Sequence, residues 1–249
     1  MASVLGCAID RVDMEAALDR CDELIASGRF AQHMAVNAAK LVTMQDDAAM
    51  REITARCDLV TADGQAVVWA SRVLGDPLPE RVAGIDLMHG LFARAESSGK
   101  SVYILGARAE VLERAVAELR RRHPRLRIAG HRHGYFSPDE EAEVAAAIRA
   151  AEPDFLFVAM SSPRKEYFLG RHGPSLGAVF AMGVGGAIDV MAGETRRAPR
   201  WMQRLGLEWL YRLLQEPGRL LRRYATTNVR FARLVAAEWV RQRRRRPAP

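Results

Sequence analysis

Asp63-Gly64 lies between a short hydrophobic run, Leu59 to Thr61, and an apolar segment, Gln65 to Leu74, with the length and content of a buried helix. A strand that gives way to a helix puts that carboxylate at the carboxyl edge of a sheet, where open α/β sheets bind their ligands. Arg81 follows on a Pro-bounded loop, Asp76 to Arg81, which leads through Gly84 into a second helix starting near Ile85. An acid with a guanidinium behind it suits a polar, anionic substrate. Turn chemistry also accounts for Asp63-Gly64, since Asp tolerates turns and Gly supplies positive φ. From these residues alone that plainer account is favoured.

Other signals are two-sided. Gly183-Val184-Gly185-Gly186 follows a hydrophobic run, where backbone N–H groups can face a phosphate, and a close-packed turn explains it equally well. It is not G-x-G-x-x-G, and no Walker A motif is present. Gly106-Ala107, after Val102 to Leu105, has the same two readings. Ser161-Ser162-Pro163-Arg164-Lys165-Glu166 reads equally as a helix start and as a diphosphate site built on Arg164 and Lys165. His131 and His133 would share one face of a strand, but no third ligand has metal-site spacing, so a loop or surface role fits better. No G-x-S-x-G elbow or nucleophile–base pair is found.

The charge is uneven. The net +7 divides into +12 from Arg196 onward, where fifteen Arg and no Lys face three acids, and −5 over the preceding 195 residues. An acidic body with a basic end meets something anionic: phosphate, a membrane surface or nucleic acid. Within that end, Arg212, Arg219 and Arg222 would line one side of a continuous helix, although Pro217 interrupts it. Cys7, Cys21 and Cys57 are odd in number and lack a C-x-x-C pair, which points to a reducing compartment. No signal peptide is visible and no apolar run nears the ~20 residues of a bilayer span. A soluble chain, or one lying on a membrane without crossing it, is expected.

The elements that must position these residues alternate. Val4–Ile9, Met34–Val36, Leu59–Thr61, Val102–Leu105, Leu126–Ala129, Phe155–Met160 and Ala178–Met182 have strand length. Helical periods occupy Met14–Ile25, Ile85–Ala95, Val111–Arg121 and Glu141–Ala150, with Asp13 and Ser137 as caps. This is an α/β, Rossmann-like pattern, a largely parallel sheet with helices on both faces. The expected division is a core over 1–195 and a helical, basic appendage over 196–249. There Trp201 to Gln215 is helical, Pro217 breaks it, and Thr226 to Asn228 cap a last helix with Phe231, Leu234, Val235 and Trp239 on one side. Helices rich in aromatics and Arg read as a membrane-interface appendage.

Three stretches closely resemble the WecG/TagA/CpsF glycosyltransferases (glycosyltransferase family 26): ADGQAVVWASRVLGDPLPERVAGIDLM at 62–88, PDFLFVAMSSPRKEYFL at 153–169, and GVGGAIDVMAG with RAPRWMQRLGLEWLYRLLQEPGR across 183–219. The resemblance covers nearly the whole chain. It implies an inverting transfer, without metal or other cofactor, of a sugar (N-acetylmannosamine-, uronic acid- or hexose-type) from a UDP donor. The implied acceptor is a sugar on a polyprenyl diphosphate at the inner face of the cytoplasmic membrane, in cell-surface polymer synthesis. By the same resemblance Asp63 matches a general base, Asn37 a residue that positions sugars, and Arg81 a pocket arginine. Gly106, Tyr135 and Asp189 fall where the nucleotide is held, with Ala107, Gly183 and Gly185 in the same turns. Arg212, Arg219 and Arg222 match arginines that close over the site and neutralise the diphosphate.

Two departures concern the sugar pocket. Ala35 stands where many relatives have Thr, and Lys165 where many have Gln. Whether Lys165 favours an acidic sugar or binds phosphate stays open at this level, as do the linkage and the oligomeric state. A nucleotide-dependent oxidoreductase built on Gly183–Gly186 lacks the G-x-G-x-x-G spacing and the later ribose-binding acid. A nucleic-acid-binding module using the Arg-rich end is the non-enzymatic alternative.

Overall fold

Strand periodicity is clearest at Phe155 to Ala159, where Phe155, Phe157 and Ala159 enter one hydrophobic cluster and Leu156 and Val158 another. Residues that alternate between two dry faces belong to a parallel sheet covered on both sides. The computed structural model describes residues 1–215 and 217–245, with only the backbone of Arg204, Arg219, Leu220, Arg222, Arg223, Tyr224 and Arg245. Strands are β1 (Ala2–Val4), β2 (Cys7–Ile9), β3 (Ala31–Val36), β4 (Leu59–Ala62), β5 (Ser101–Gly106), β6 (Arg127–Arg132), β7 (Phe155–Ala159) and β8 (Phe180–Gly183). Helices are α1 (Met14–Ala26), α2 (Ala38–Asp46), α3 (Ala48–Ala55), α4 (Gln65–Val73), α5 (Gly84–Ser97), α6 (Ala109–Arg122), α7 (Glu141–Ala151), α8 (Arg164–His172), α9 (Ala187–Met191), α10 (Arg200–Arg204), α11 (Glu208–Gln215) and α12 (Pro217–Arg245).

Six strands form an all-parallel sheet in the order β4-β3-β8-β7-β5-β6. One face packs α1, α5, α6 and α9; the other packs α2, α3, α4, α7, α8 and α12. The α/β, Rossmann-like expectation holds. From β5 the chain moves outward to β6, whereas from β7 it moves inward to β8. Neighbouring strands that diverge in this way open a crevice at their carboxyl ends.

Three local expectations are corrected. Val4–Ile9 is not a strand of the main sheet; Leu5 and Gly6, at φ 53° and 78°, turn it into the antiparallel hairpin β1–β2. Consecutive positive φ values are what a two-residue hairpin turn requires. The helix expected over Trp201 to Gln215 is broken at Leu205–Leu207 into α10 and α11, with Gly206 at φ 72°. Pro217 opens α12 instead of breaking a helix, and α12 runs through Thr226 to Asn228 without a cap. A first-turn Pro has no hydrogen bond to lose, so the position suits it. Arg212 is therefore on α11, and Arg219 and Arg222 are on α12. They do not share one helix side, and the side chains of Arg219 and Arg222 lie outside the described residues.

The apolar stripe expected on the last helix exists but faces inward. Phe231 and Val235 are buried, with Leu234 and Trp239 packed beside them, in the cluster that also contains Leu41, Val67 and Val68. Arg230 pairs with Asp46 of α2 at 2.6 and 2.7 Å.

Candidate active site

The carboxyl edge of the sheet collects the chemistry. β4 ends in Ala62, and Asp63 follows with its N–H donated to the Val36 carbonyl at 2.7 Å. Its Oδ1 accepts from Gly84 N–H at 3.3 Å, which ties the start of α5 to the carboxylate. Asp63 is only partly covered by the chain. Burial nevertheless pushes its pKa up, outweighing the Gly84 N–H and the Lys40 and Arg81 charges that draw it down. Asn37, after β3, caps α2: its Oδ1 accepts from Lys40 N–H at 3.0 Å. Gly64 lies directly over Asn37, and a Cβ there would stand 3.7 Å from that of Asn37.

Arg81 is mostly buried and ion-pairs with Glu208 of α11. Glu208 also faces Arg197 at 3.3 Å, and Arg197 grips Asp86 of α5 through two bonds of 2.5 and 2.6 Å. This chain of charges pins α11 and the segment before it against the rim. Outside Arg81 an open recess of about 350 Å³ is lined by Gln65, Glu80, Arg81, Arg200 and Gln203.

Around β8, a Cβ on Gly186 would meet the Arg212 guanidinium at 2.8 Å and an Asp189 carboxylate oxygen at 3.5 Å. Arg212 thus crosses from α11 onto the glycine turn. Burial pushes the pKa of Asp189 up, opposed by its own backbone N–H, then by Arg212 and Arg108. Gly183 has a packing cause, since a Cβ there would sit 3.0 Å from the Lys165 side chain; Gly185 has nothing within 4 Å.

The β5–β7 crevice holds the rest. Gly106 takes φ +134° with Ala159 backbone atoms 2.4 Å from where a Cβ would stand, so only glycine fits. Ala107 N–H donates to Ala159 O at 3.0 Å, and Gly134 N–H to Ala107 O at 2.9 Å. Tyr135, beyond β6, is 71% exposed.

Arg164 and Lys165, which the sequence offered equally as a helix start and as a diphosphate site, are both engaged within the chain. Arg164 donates to Gly134 O at 2.9 Å and Phe136 O at 2.7 Å and lies 4.4 Å over the Phe136 ring, so it clamps the loop that carries Tyr135. Lys165 is 6% exposed and its ammonium is 2.9 Å from Glu166. Glu166, 2% exposed, also meets Lys40 at 3.0 Å, and Lys40 donates to Ala35 O at 2.7 Å. Burial, then the neighbouring Lys40, lower the Lys165 pKa to about 8. Burial raises Glu166, but Lys40 and Lys165 outweigh it and hold the carboxyl below its usual range.

The rim therefore brings Asp63, Asn37 and Arg81 together at β3–β4, and Gly183, Gly185, Asp189 and Arg212 at β8. Gly106, Ala107 and Tyr135 stand at the β5–β6 end. Sequence reasoning passed over Lys40, Glu166, Glu208, Arg197 and Asp86. Their partners lie on other elements, and only Lys165-Glu166 are neighbours in the chain. His131 and His133 form no metal pair: His131 bonds Glu113 at 2.9 Å, and among the described residues no three His, Cys, Asp or Glu side chains gather at one point.

The chain matches the model of the Glycosyl transferase WecG/TagA/CpsF family over residues 2–245. A match of that extent decides among the sequence's three readings in favour of the glycosyltransferase. This chain belongs to the WecG/TagA/CpsF family and is a glycosyltransferase.

Proposed function

We propose that the enzyme moves a sugar, with inversion, from a UDP donor to a polyprenyl-diphosphate-linked saccharide in cell-surface polymer synthesis. The observation that carries the reading is the partly open Asp63 at the sheet rim, with cationic side chains from α11 and the Asp76–Arg81 loop on the same edge. The acceptor hydroxyl oxygen bonds to the anomeric carbon while its proton passes to the Asp63 carboxylate. The bond from that carbon to the donor phosphate oxygen breaks, and UDP leaves with the electron pair. A single base on the acceptor side suffices for inversion. Arg212, whose guanidinium lies over the Gly186 turn, takes up the leaving charge together with Arg219 and Arg222; a cation already in place does this without reorganisation. The reading calls for no metal.

Gly106, Ala107, Tyr135, Gly183, Gly185 and Asp189 hold the nucleotide. Arg164 serves them by fixing the Tyr135 loop. Asn37 has its Oδ1 committed to the cap, so its Nδ2 amide orients sugar hydroxyls. Arg81 exchanges Glu208 for an anionic group of the substrate.

The lipid acceptor places the enzyme on the inner face of the cell membrane. Supporting this, Trp69 and Val73 of α4, Trp201 and Leu205 around α10, and Trp209 of α11 are exposed. Gly206 packs on Gln65 and Trp69, which sets the turn between α10 and α11 beside the exposed Trp69. Aromatic side chains of this kind partition to a bilayer interface. No helix among the described residues is long and apolar enough to cross a membrane.

The test is a screen of UDP-sugars against a short-chain lipid-diphosphate saccharide, with Asp63→Asn beside the wild type. Transfer from one donor, lost in Asp63→Asn, supports the reading. Undiminished transfer by the variant removes Asp63 as the base.

A further inference from the structure

Two lysines and one glutamate buried together carry one uncompensated positive charge. Lys40 comes from α2, Lys165 and Glu166 from the start of α8, and the single carboxylate meets both ammonium groups, at 3.0 and 2.9 Å. Glu166 Oε2 has no hydrogen-bond partner among the described residues. Lys40 is fixed by the Ala35 carbonyl at 2.7 Å and touches Met34 Sδ at 3.3 Å. The Lys165 stem runs under Gly183. A net positive charge at this depth is poorly screened and favours the ionised form of any carboxylate nearby.

The further carboxylate this excess charge acts on is Asp63. A Cβ on Gly84 would lie 3.6 Å from that of Ala35, the residue anchoring Lys40, and 3.7 Å from Asp63 Oδ2. Both lysines act on this carboxylate: Lys40 draws the Asp63 pKa down, and Asp63 draws that of Lys165 up. Ionised Asp63, Glu166, Lys40 and Lys165 together sum to zero. The other titratable groups facing the cluster do not supply that balance. His33 of β3 is held neutral by burial and by Lys40, its pKa lowered to about 3. Burial keeps the Cys7 and Cys57 thiols protonated, at about 11 and 12. Arg81 faces Asp63 from the other side, but its charge is met by Glu208.

We propose that Lys40, Lys165 and Glu166 are positioning residues whose shared excess charge keeps Asp63 ionised in its desolvated place and so ready to accept a proton. The inference rests on Asp63 being the base. It also gives Lys165 an internal role, where the sequence left an acidic sugar or a phosphate as its partner.

The experiment titrates the full-length protein by carbon-13 NMR of aspartate carboxyl groups, the Asp63 signal being assigned by its loss in Asp63→Asn. Lys165→Gln leaves one lysine against one glutamate, a neutral pair, and is expected to raise the Asp63 midpoint by about one pH unit. The double variant Lys165→Gln/Glu166→Gln leaves Lys40 alone, restores the single excess charge, and should bring the midpoint back toward the wild-type value. The acid limb of sugar transfer should follow the same order. A purely structural role for Lys165 would not give a shift that a second neutralisation reverses. An Asp63 midpoint unmoved in Lys165→Gln overturns the inference, even if the double variant fails to fold. If Asp63→Asn transfers sugar at the wild-type rate while the midpoints shift as expected, the base assignment fails and the electrostatic coupling stands.

Discussion

Asp63 shows at a single residue how a charge at the sheet rim works against the fold. A carboxylate whose folded pKa lies above its unfolded value loses stability as the pH rises past the ordinary carboxylate range, because the folded state resists ionisation there. At neutral pH Asp63 therefore opposes folding, and Asp63→Asn is expected to raise Tm while lowering transfer by ~10²- to 10⁴-fold. A melting curve beside a single-donor assay checks both, and a lower Tm would contradict the argument. Glu166 is the opposite case. Its carboxylate neutralises two buried ammonium groups, so Glu166→Gln strands charge in the interior and should cost about 3–5 kcal/mol in a urea titration. Asp63 and Arg81 drew notice by position, at a strand end and on the loop after it, but their roles and the choice of Asn37 came only from the family resemblance. The charge cluster was not legible: Lys40 looks like any helix lysine until α2 and α8 meet, and Lys165-Glu166 passes for a helix start.

Among the elements, α12 was the least legible. Its apolar stripe at Phe231, Leu234, Val235 and Trp239 reads the same whether it faces a bilayer or the body, since the period fixes the stripe and not its partner. The partner is the α2–α4 face, where Leu41, Val67 and Val68 require cover. Magnitudes decide what holds the helix there. The Arg230–Asp46 pair is exposed, at 46% and 64%, and such pairs are worth at most about 1 kcal/mol. Phe231 is 7% exposed, and Phe231→Ala should cost about 3 kcal/mol as a lower urea midpoint. A loss below that of Arg230→Ala would mean that the helix is held by charge. The strand–helix alternation of the body was easier to read, because consecutive residues facing two dry layers leave long apolar runs at Val102–Leu105 and Phe155–Met160. The β1–β2 hairpin escaped because its turn uses Leu5, a residue with no turn signature, at positive φ.

For the molecule as a whole, the inward stripe of α12 changes how the enzyme would sit on a membrane. Removing everything after Pro199 is a poor test of docking, since it would strip the cover from the α2–α4 core along with the basic end. An apolar surface that could insert is formed by Trp69, Trp201 and Leu205, each more than half exposed at 51%, 59% and 58%. It adjoins the recess beside Arg81, where Arg200 and Gln203 stand. A lipid whose diphosphate enters that recess would keep its chain against the tryptophans, so insertion and acceptor delivery become one event. The arginine-rich end adds a charge attraction that salt screens, with a Debye length of about 8 Å at physiological ionic strength, whereas the apolar patch is indifferent to salt. Trp201→Ser/Leu205→Ser should therefore lose binding to phosphatidylglycerol-containing vesicles at high salt, where the arginine attraction is screened, keep only a salt-sensitive remainder at low salt, and lose transfer to a long-chain acceptor. Transfer to a short-chain, water-soluble acceptor should persist. Vesicle sedimentation and paired acceptor assays read these effects, and wild-type vesicle binding by the double variant would move the docking surface elsewhere on the chain.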